Sequence, residues 1–332
     1  MIALTINDPS QIAEARRAAQ TLAQQHDFGA GDAGRVALVA TELATNLLKH
    51  AGGGEMLVGP CEVGPSSGVE ILALDKGPGM ADVQACLADG YSNAGTQGNG
   101  LGAVSRQSQF VSIASWPGLG TAVLARLLAG KRNSAGVPPV RQVGAVAVAK
   151  LGEEVCGDSW TVAQSNEVCT LFVADGLGHG PDAAHASAEA VRVLHRFGGH
   201  QVQTVLDYVH GGLRATRGAA VSIARFDPAA GKVSFAGVGN VAGVLAVNGE
   251  LRRMVSMPGT LGYNVRKIQA FEYPFANGLV ILHSDGLSTG WTLGRYTNLE
   301  QADPTLIAGV LYRDFARRRD DVTILIGKWP AG

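Results

Sequence analysis

Four acidic positions in the second half of the chain stand where apolar, strand-like runs end. They lie in Gly157-Asp158-Ser159-Trp160, Ala174-Asp175-Gly176-Leu177-Gly178-His179-Gly180, Ser284-Asp285-Gly286-Leu287 and Arg319-Asp320-Asp321-Val322-Thr323. Carboxylates gathered at strand ends repel one another unless cations neutralise them. Hard divalent cations such as Mg²⁺ or Mn²⁺ take oxygen ligands and retain waters. Two such ions can activate water and clamp a phosphoryl group. The glycine after Asp175 leaves its carbonyl oxygen accessible as a further ligand. Taken singly, each Asp-Gly pair is an ordinary turn; it is the set that points to metal chemistry. His179 reads as a loop-shaping neighbour, and Cys156 as a plain buried thiol.

The first half carries a different constellation. Glu42 and Asn46 are four residues apart in a helical pattern, so they share one face. That face lies opposite an apolar stripe of Val36, Val39, Leu43 and Leu47. A carboxylate beside a carboxamide oxygen suits a hydroxyl-proton acceptor next to a magnesium ligand. The plain alternative is a solvated helix face. Leu74-Asp75-Lys76-Gly77-Pro78-Gly79-Met80 then sets an aspartate at a strand end, able to accept from an exocyclic amine such as that of adenine. Gly98-Asn99-Gly100-Leu101-Gly102 precedes a helix, where backbone N–H groups face phosphate. Gly118-Leu119-Gly120-Thr121 turns into a further strand.

The elements that must position these groups fall into two blocks. Residues 1–130 read as helices over Pro9 to Gln25, Asp32 to Ala51 and Ala103 to Gln109, with strands at Met56 to Val63, Val69 to Leu74, Phe110 to Ala114 and Thr121 to Leu127. Helices packed on one antiparallel sheet make an α+β sandwich. Residues 131–139 are polar and end in two prolines, which reads as a linker. Residues 140–332 alternate many short apolar runs with helices at Pro181 to Phe197, Val202 to Thr216 and Pro304 to Phe315, suggesting two sheets flanked by helices.

Composition narrows the function. The net charge of the 332 residues is −1, so no global basic field recruits nucleic acid or an anionic membrane. No apolar run has the length of a membrane span, and the N-terminus lacks a secretory pattern. Four cysteines without Cys-x-x-Cys spacing predict neither a disulfide framework nor a zinc site, and make a reducing cytoplasm the expected location.

Residues 1–130 resemble the GHKL ATPase family (Bergerat fold). Glu42-Leu-Ala-Thr-Asn46-Leu-Leu-Lys-His50 looks like its N box. Asp89-Gly90-Tyr91-Ser92-Asn93-Ala94-Gly95-Thr96 is similar to the lid of the small serine/threonine kinases of bacterial partner switching, of the RsbT, RsbW and SpoIIAB type. The resemblance implies ATP with Mg²⁺ as the nucleotide. Glu42 would be the general base, Asn46 the magnesium ligand and Asp75 the adenine reader. Gly77, Gly79, Gly98, Gly100 and Gly102 would shape the pocket, with Thr121 near adenine. No helix pair bearing a phosphoacceptor histidine is present, which disfavours a histidine kinase; His50 reads as a local polar contact.

Residues 140–332 resemble the PPM metal-dependent phosphatases in their SpoIIE and RsbX branch, an α-β-β-α sandwich. The resemblance implies two Mn²⁺ or Mg²⁺ ions at Asp158, Asp175, Gly176, Asp285 and Asp320. Asp321 is its neighbour rather than the ligand, because in the family the first residue of that pair is the usual ligand. The phosphate-gripping arginine of many relatives has only a loose counterpart in Arg141.

Together the resemblances imply a cytoplasmic regulator. One module would phosphorylate, and the other dephosphorylate, a Ser or Thr on a STAS-type partner, in a sigma-factor stress-response pathway or a stressosome-like assembly. Two alternatives stay open. One is a phosphatase whose first module only senses nucleotide; the other is a non-enzymatic switch that sequesters a sigma factor.

Overall fold

The computed structural model describes residues 1–63, 66–83, 100–130, 142–165 and 168–329. They form two compact units: Met1–Arg141 with Tyr296–Arg313, and Gln142–Arg295 with Asp314–Gly332. Among the described residues no helix is long and apolar enough to cross a membrane.

The first unit contains β1 (Ile2–Ile6), α1 (Pro9–Gln25), α2 (Ala30–Ala51), β2 (Gly54–Val63), β3 (Ser66–Leu74), α3 (Gly100–Gln107), β4 (Phe110–Trp116) and β5 (Gly120–Leu128). The sheet order is β1-β2-β3-β5-β4, antiparallel at every pairing. Helix α1 starts where a start is written locally. The Asp8 carboxylate accepts from Ser10 N, the Gln11 side chain reaches back to the Asp8 N–H, and Pro9 occupies the first turn. Helix α2 buries Val36, Val39, Leu43 and Leu47 and stops at Gly52, whose φ of 72° few other residues tolerate. The alternation of β3 and β5 sends Val69, Ile71, Ala73, Val123, Ala125 and Leu127 into the core shared with these helices.

The second unit contains β6 (Val143–Val148), β7 (Asp158–Ser165), β8 (Val168–Gly176), α4 (Pro181–Phe197), α5 (Val202–Gly212), β9 (Ala219–Asp227), β10 (Lys232–Val238), β11 (Ala242–Val247), β12 (Glu250–Met254), β13 (Gly259–Thr260), β14 (Asn264–Val265), β15 (Ala270–Pro274), β16 (Gly278–His283) and β17 (Val322–Trp329). Two five-stranded sheets, β15-β10-β9-β8-β7 and β12-β11-β16-β17-β6, stack through a core that includes Leu171, Phe226, Phe235, Leu282 and Leu325. The other face of the first sheet packs on α4 and α5 through Phe172, Ile223, Leu194 and Leu206.

Helix α6 (Pro304–Phe315) follows β16 in sequence, yet through Arg313 it belongs to the first unit. The sequence reading places this segment in a contiguous second domain. Instead the second face of β3 and β5 meets this segment. Leu72 and Leu74 lie against Gly309, where a Cβ would sit 3.1 Å from Leu72 Cδ2. Arg126, only 3% exposed, donates to Glu70 at 3.0 Å, to both oxygens of Asp303 at 2.7 and 2.9 Å, and to Thr305 Oγ1 at 2.9 Å. Asp303 also accepts from Thr305 N at 2.9 Å, capping α6. A charge so buried persists only with its partners in place.

Candidate functional site

In the first unit, Glu42 and Asn46 are half-buried on α2. Gly100 opens α3 directly over them: a Cβ there would lie 3.1 Å from Asn46 Oδ1 and 3.4 Å from Glu42 Oε2. The N-terminus of α3 therefore approaches the same two side chains that the helical spacing singled out. Gly102 is buried in α3. Gly98 and the segment 89–96 lie outside the described residues.

Asp75 ends β3. Its Oδ1 accepts from Gly77 N at 2.8 Å and Thr121 N at 3.1 Å, and its own N–H donates to Thr121 O at 3.0 Å. Burial pushes its carboxyl up, while those two N–H groups and the Arg313 charge pull it down. The Thr121 hydroxyl is 2.8 Å from that of Ser115, which accepts from Met80 N at 2.7 Å. Gly79 has φ 73°, and a Cβ there would fall 2.1 Å from Trp116 O, so only glycine fits this turn. Gly77 is packed against Ala51 at the end of α2. A carboxylate fixed by two backbone donors is a preset acceptor for an amino group.

The second unit assembles its carboxylates by register. In the antiparallel pair β7–β8, Asp158 stands directly opposite Asp175. Like charges so placed are destabilising without a counter-ion. Asp285 and the Asp320-Asp321 pair come from the other sheet, at the end of β16 and the start of β17. Ser284 joins these ends: its N–H donates to Thr323 O at 3.0 Å, and its hydroxyl accepts from Thr323 N at 2.9 Å. Burial holds Asp175 well above the ordinary carboxylate range, and Asp158, Asp285, Asp320 and Asp321 add to it, so all five charges share one field. Asp158 is also raised, by burial first, with the Ser284 hydroxyl opposing and Asp321 adding. Gly176 admits no side chain, since a Cβ would meet Ala183 O at 2.0 Å.

Asp320 and Asp321 divide their work. Asp320 is half-buried, and its Oδ1 accepts from Asp321 N at 3.0 Å. Asp321 is 3% exposed, and its Oδ1 accepts from Lys150 N at 2.9 Å. Asp158 Oδ2, Asp321 Oδ2 and Thr323 Oγ1 are buried without a hydrogen-bond partner. Buried carboxylate oxygens of that kind call for cations, and an all-oxygen donor set fits Mg²⁺ or Mn²⁺. Among the described residues no three acidic, histidine or cysteine side chains form a ready-made cage. An ion here would keep much of its water, as Mg²⁺ does.

Two neighbours escaped the sequence reading. Asn240 Nδ2 donates to Asp285 Oδ2 at 2.6 Å, and the Lys150 backbone holds Asp321. Neither carries a motif, because one acts from the β10–β11 turn and the other through its main chain. His179 points to Glu153, with Nδ1 and Oε1 2.5 Å apart, which fits a loop-shaping position. Cys156 is kept as a thiol by burial, reinforced by Asp158 and Asp321. Arg141 lies outside the described residues.

Comparison with known proteins matches the same two blocks. The family model of the histidine kinase-like ATPase domain covers residues 6–127, and that of stage II sporulation protein E (SpoIIE) covers residues 165–330. The serine/threonine-protein kinase RsbT of Bacillus subtilis (strain 168) is 33% identical over 114 residues, 34% of this chain and 86% of that protein. The phosphoserine phosphatase RsbX of the same organism is 25% identical over 181 residues, 54% of this chain and 90% of that protein. A chain solved in work on the bacterial stressosome, described as a modular system adapted to control secondary messenger signaling, is 29% identical with a TM-score of 0.53. It covers 56% of this chain and 98% of its own length.

Proposed function

The chain belongs to the SpoIIE family, with an RsbT-related histidine kinase-like ATPase domain ahead of it, and on that premise we propose a partner-switching enzyme that removes phosphate from serine or threonine of a STAS-type partner and adds it from ATP. The observation carrying the phosphatase half is the union of Asp158, Asp175, Asp285 and Asp320 from two sheets, with Asp158 opposite Asp175 and buried oxygens left over. Asp158, Asp175, the Gly176 carbonyl, Asp285 and Asp320 would hold two Mn²⁺ or Mg²⁺ ions. Bound ions supply Lewis-acid activation of water and neutralise charge on the phosphoryl oxygens. The chain's own part is to aim the carboxylates. Asn240 orients Asp285, Lys150 N holds Asp321, and Ser284 locks the two strand ends in register.

In the kinase half, Asp75 would read adenine and Asn46 would hold Mg²⁺. Glu42 would take the proton of the partner hydroxyl. The approach of Gly100 to Glu42 and Asn46 supports this grouping. A nucleotide sensor that transfers no phosphate is the second reading, and Arg313 favours it. Its side chain holds the backbone of Asp75, while its own chain runs on through one short loop to Asp320.

The test uses the full chain. Mn²⁺ should switch on cleavage of p-nitrophenyl phosphate and EDTA should switch it off; equal rates in both would sink the phosphatase. Incubation with ATP and a STAS protein should yield a phosphorylated partner. Nucleotide binding without transfer would select the sensor instead.

A further inference from the structure

Large apolar side chains stand in water on the loops that hold the carboxylate cluster. Leu151 is 90% exposed, Tyr263 84% and Leu177 55%. Each is tied to the site through its backbone. Leu151 follows Lys150, whose N–H holds Asp321. Leu177 follows Gly176, and its N–H donates to Gly218 O at 3.0 Å. Tyr263 lies two residues past Leu261, which exchanges hydrogen bonds of 3.0 and 2.9 Å with Ala219, the residue opposite Gly176.

The loops are also fastened to one another. Glu153, two residues from Leu151, pairs with His179, two residues from Leu177. Gly218 packs against Leu261, with a Cβ position 2.5 Å from Leu261 O. The nearby Arg217 is already engaged by Asp182 at 2.5 Å. Single exposed apolar residues are commonplace, but a group of them around one polar site marks a contact surface.

We propose that these loops form an apolar docking rim for a protein segment whose phosphoserine or phosphothreonine is flanked by apolar residues. The proposal rests on the phosphatase reading. Its logic is continuity: a protein-borne phosphate that reaches the carboxylate cluster lays the residues on either side of it across the loops that hold the cluster. Those loops offer Leu151, Leu177 and Tyr263, and among them Glu153 is paired with His179 and Arg217 with Asp182. Apolar flanks therefore gain burial there.

The test compares p-nitrophenyl phosphate with two short phosphoserine peptides, one flanked by leucines and one by serines. The enzymes are the full chain with Mn²⁺ and its Leu151→Ser and Tyr263→Ser variants. Wild type should cleave the leucine-flanked peptide with a kcat/KM about tenfold higher, the scale of burying one large apolar side chain. Each variant should lose much of that preference and keep its p-nitrophenyl phosphate rate. Equal rates on the two peptides, or a preference intact in both variants, would overturn the docking rim while leaving the phosphatase standing. Self-association that Tyr263→Ser abolishes, with peptide preference unchanged, would overturn it in favour of a second copy of the chain. No cleavage of p-nitrophenyl phosphate by wild type would remove the premise and the proposal together.

Discussion

Arg313 Nη1 donates to the carbonyl oxygen of Asp75 at 2.8 Å and to that of Thr121 at 3.3 Å. A helix drawn from far along the sequence thus grips the residue after β3 and a residue at the start of β5. Its charge also favours the ionised form of Asp75 against burial. Arg313→Met should cost about 1.5–3 kcal/mol of stability, the range for a hydrogen bond made by a charged group, and weaken ATP binding by loosening Asp75. Calorimetry of the full chain with Mg²⁺ checks this, and unchanged affinity would mean that Arg313 serves packing alone.

Removing one partner from the Arg126 network should cost far more than a surface pair would. Asp303→Ala leaves a buried guanidinium with Glu70, Thr305 and the Phe110 ring, and the expected loss is about 3–5 kcal/mol. Urea unfolding followed by tryptophan fluorescence reads it. The same reasoning makes residues 1–130 alone a poor fragment. Without the segment 296–313, Leu72, Leu74 and Arg126 lose their cover, so the ATP-binding test above uses the full chain.

Glu42→Ala should abolish phosphate transfer and spare ATP binding, because a base for the acceptor hydroxyl has no task in holding adenine. Metal-dependent hydrolysis should persist in the same variant. Transfer at the wild-type rate, followed by mass spectrometry of the partner, would exclude Glu42 as the base.

Asp175→Asn should remove hydrolysis yet stabilise the protein in EDTA. The folded-state pKa of Asp175 lies above its ordinary 3.8, through burial and then the four neighbouring carboxylates. The native state therefore binds the proton more tightly than the unfolded state. Stability falls as pH rises from the ordinary value through the raised one, and is least above it. In EDTA the melting temperature of wild type should drop along that interval, the drop should shrink in Asp175→Asn, and Mn²⁺ should reverse it. A melting temperature indifferent to both Mn²⁺ and the substitution would show that the cluster bears no such strain.

Much of this protein was legible in local sequence. The helices Pro9–Gln25, Pro181–Phe197 and Pro304–Phe315 run as their apolar spacing and leading prolines predict, because starts and periodicity are local properties. The aspartates at strand ends and the Glu42–Asn46 spacing were visible for the same reason. The edge strands Ile2–Ile6, Glu250–Met254 and Ala270–Pro274 were not, since they are short and half-exposed.

Tertiary structure alone decided what closes the second face of the first sheet. Residues 304–313 are buried throughout, so their sequence says that the helix is covered without saying by what. Glu70 and Arg126 are charges within strands whose buried partner Asp303 arrives 177 residues after Arg126. The difference in exposure between Asp320 and Asp321 was likewise spatial: Gly157 and Lys150, distant in sequence, close over Asp321 and leave Asp320 the more open carboxylate. Local chemistry can name a residue's capabilities, but which partner satisfies a buried charge depends on chain segments that meet only after folding.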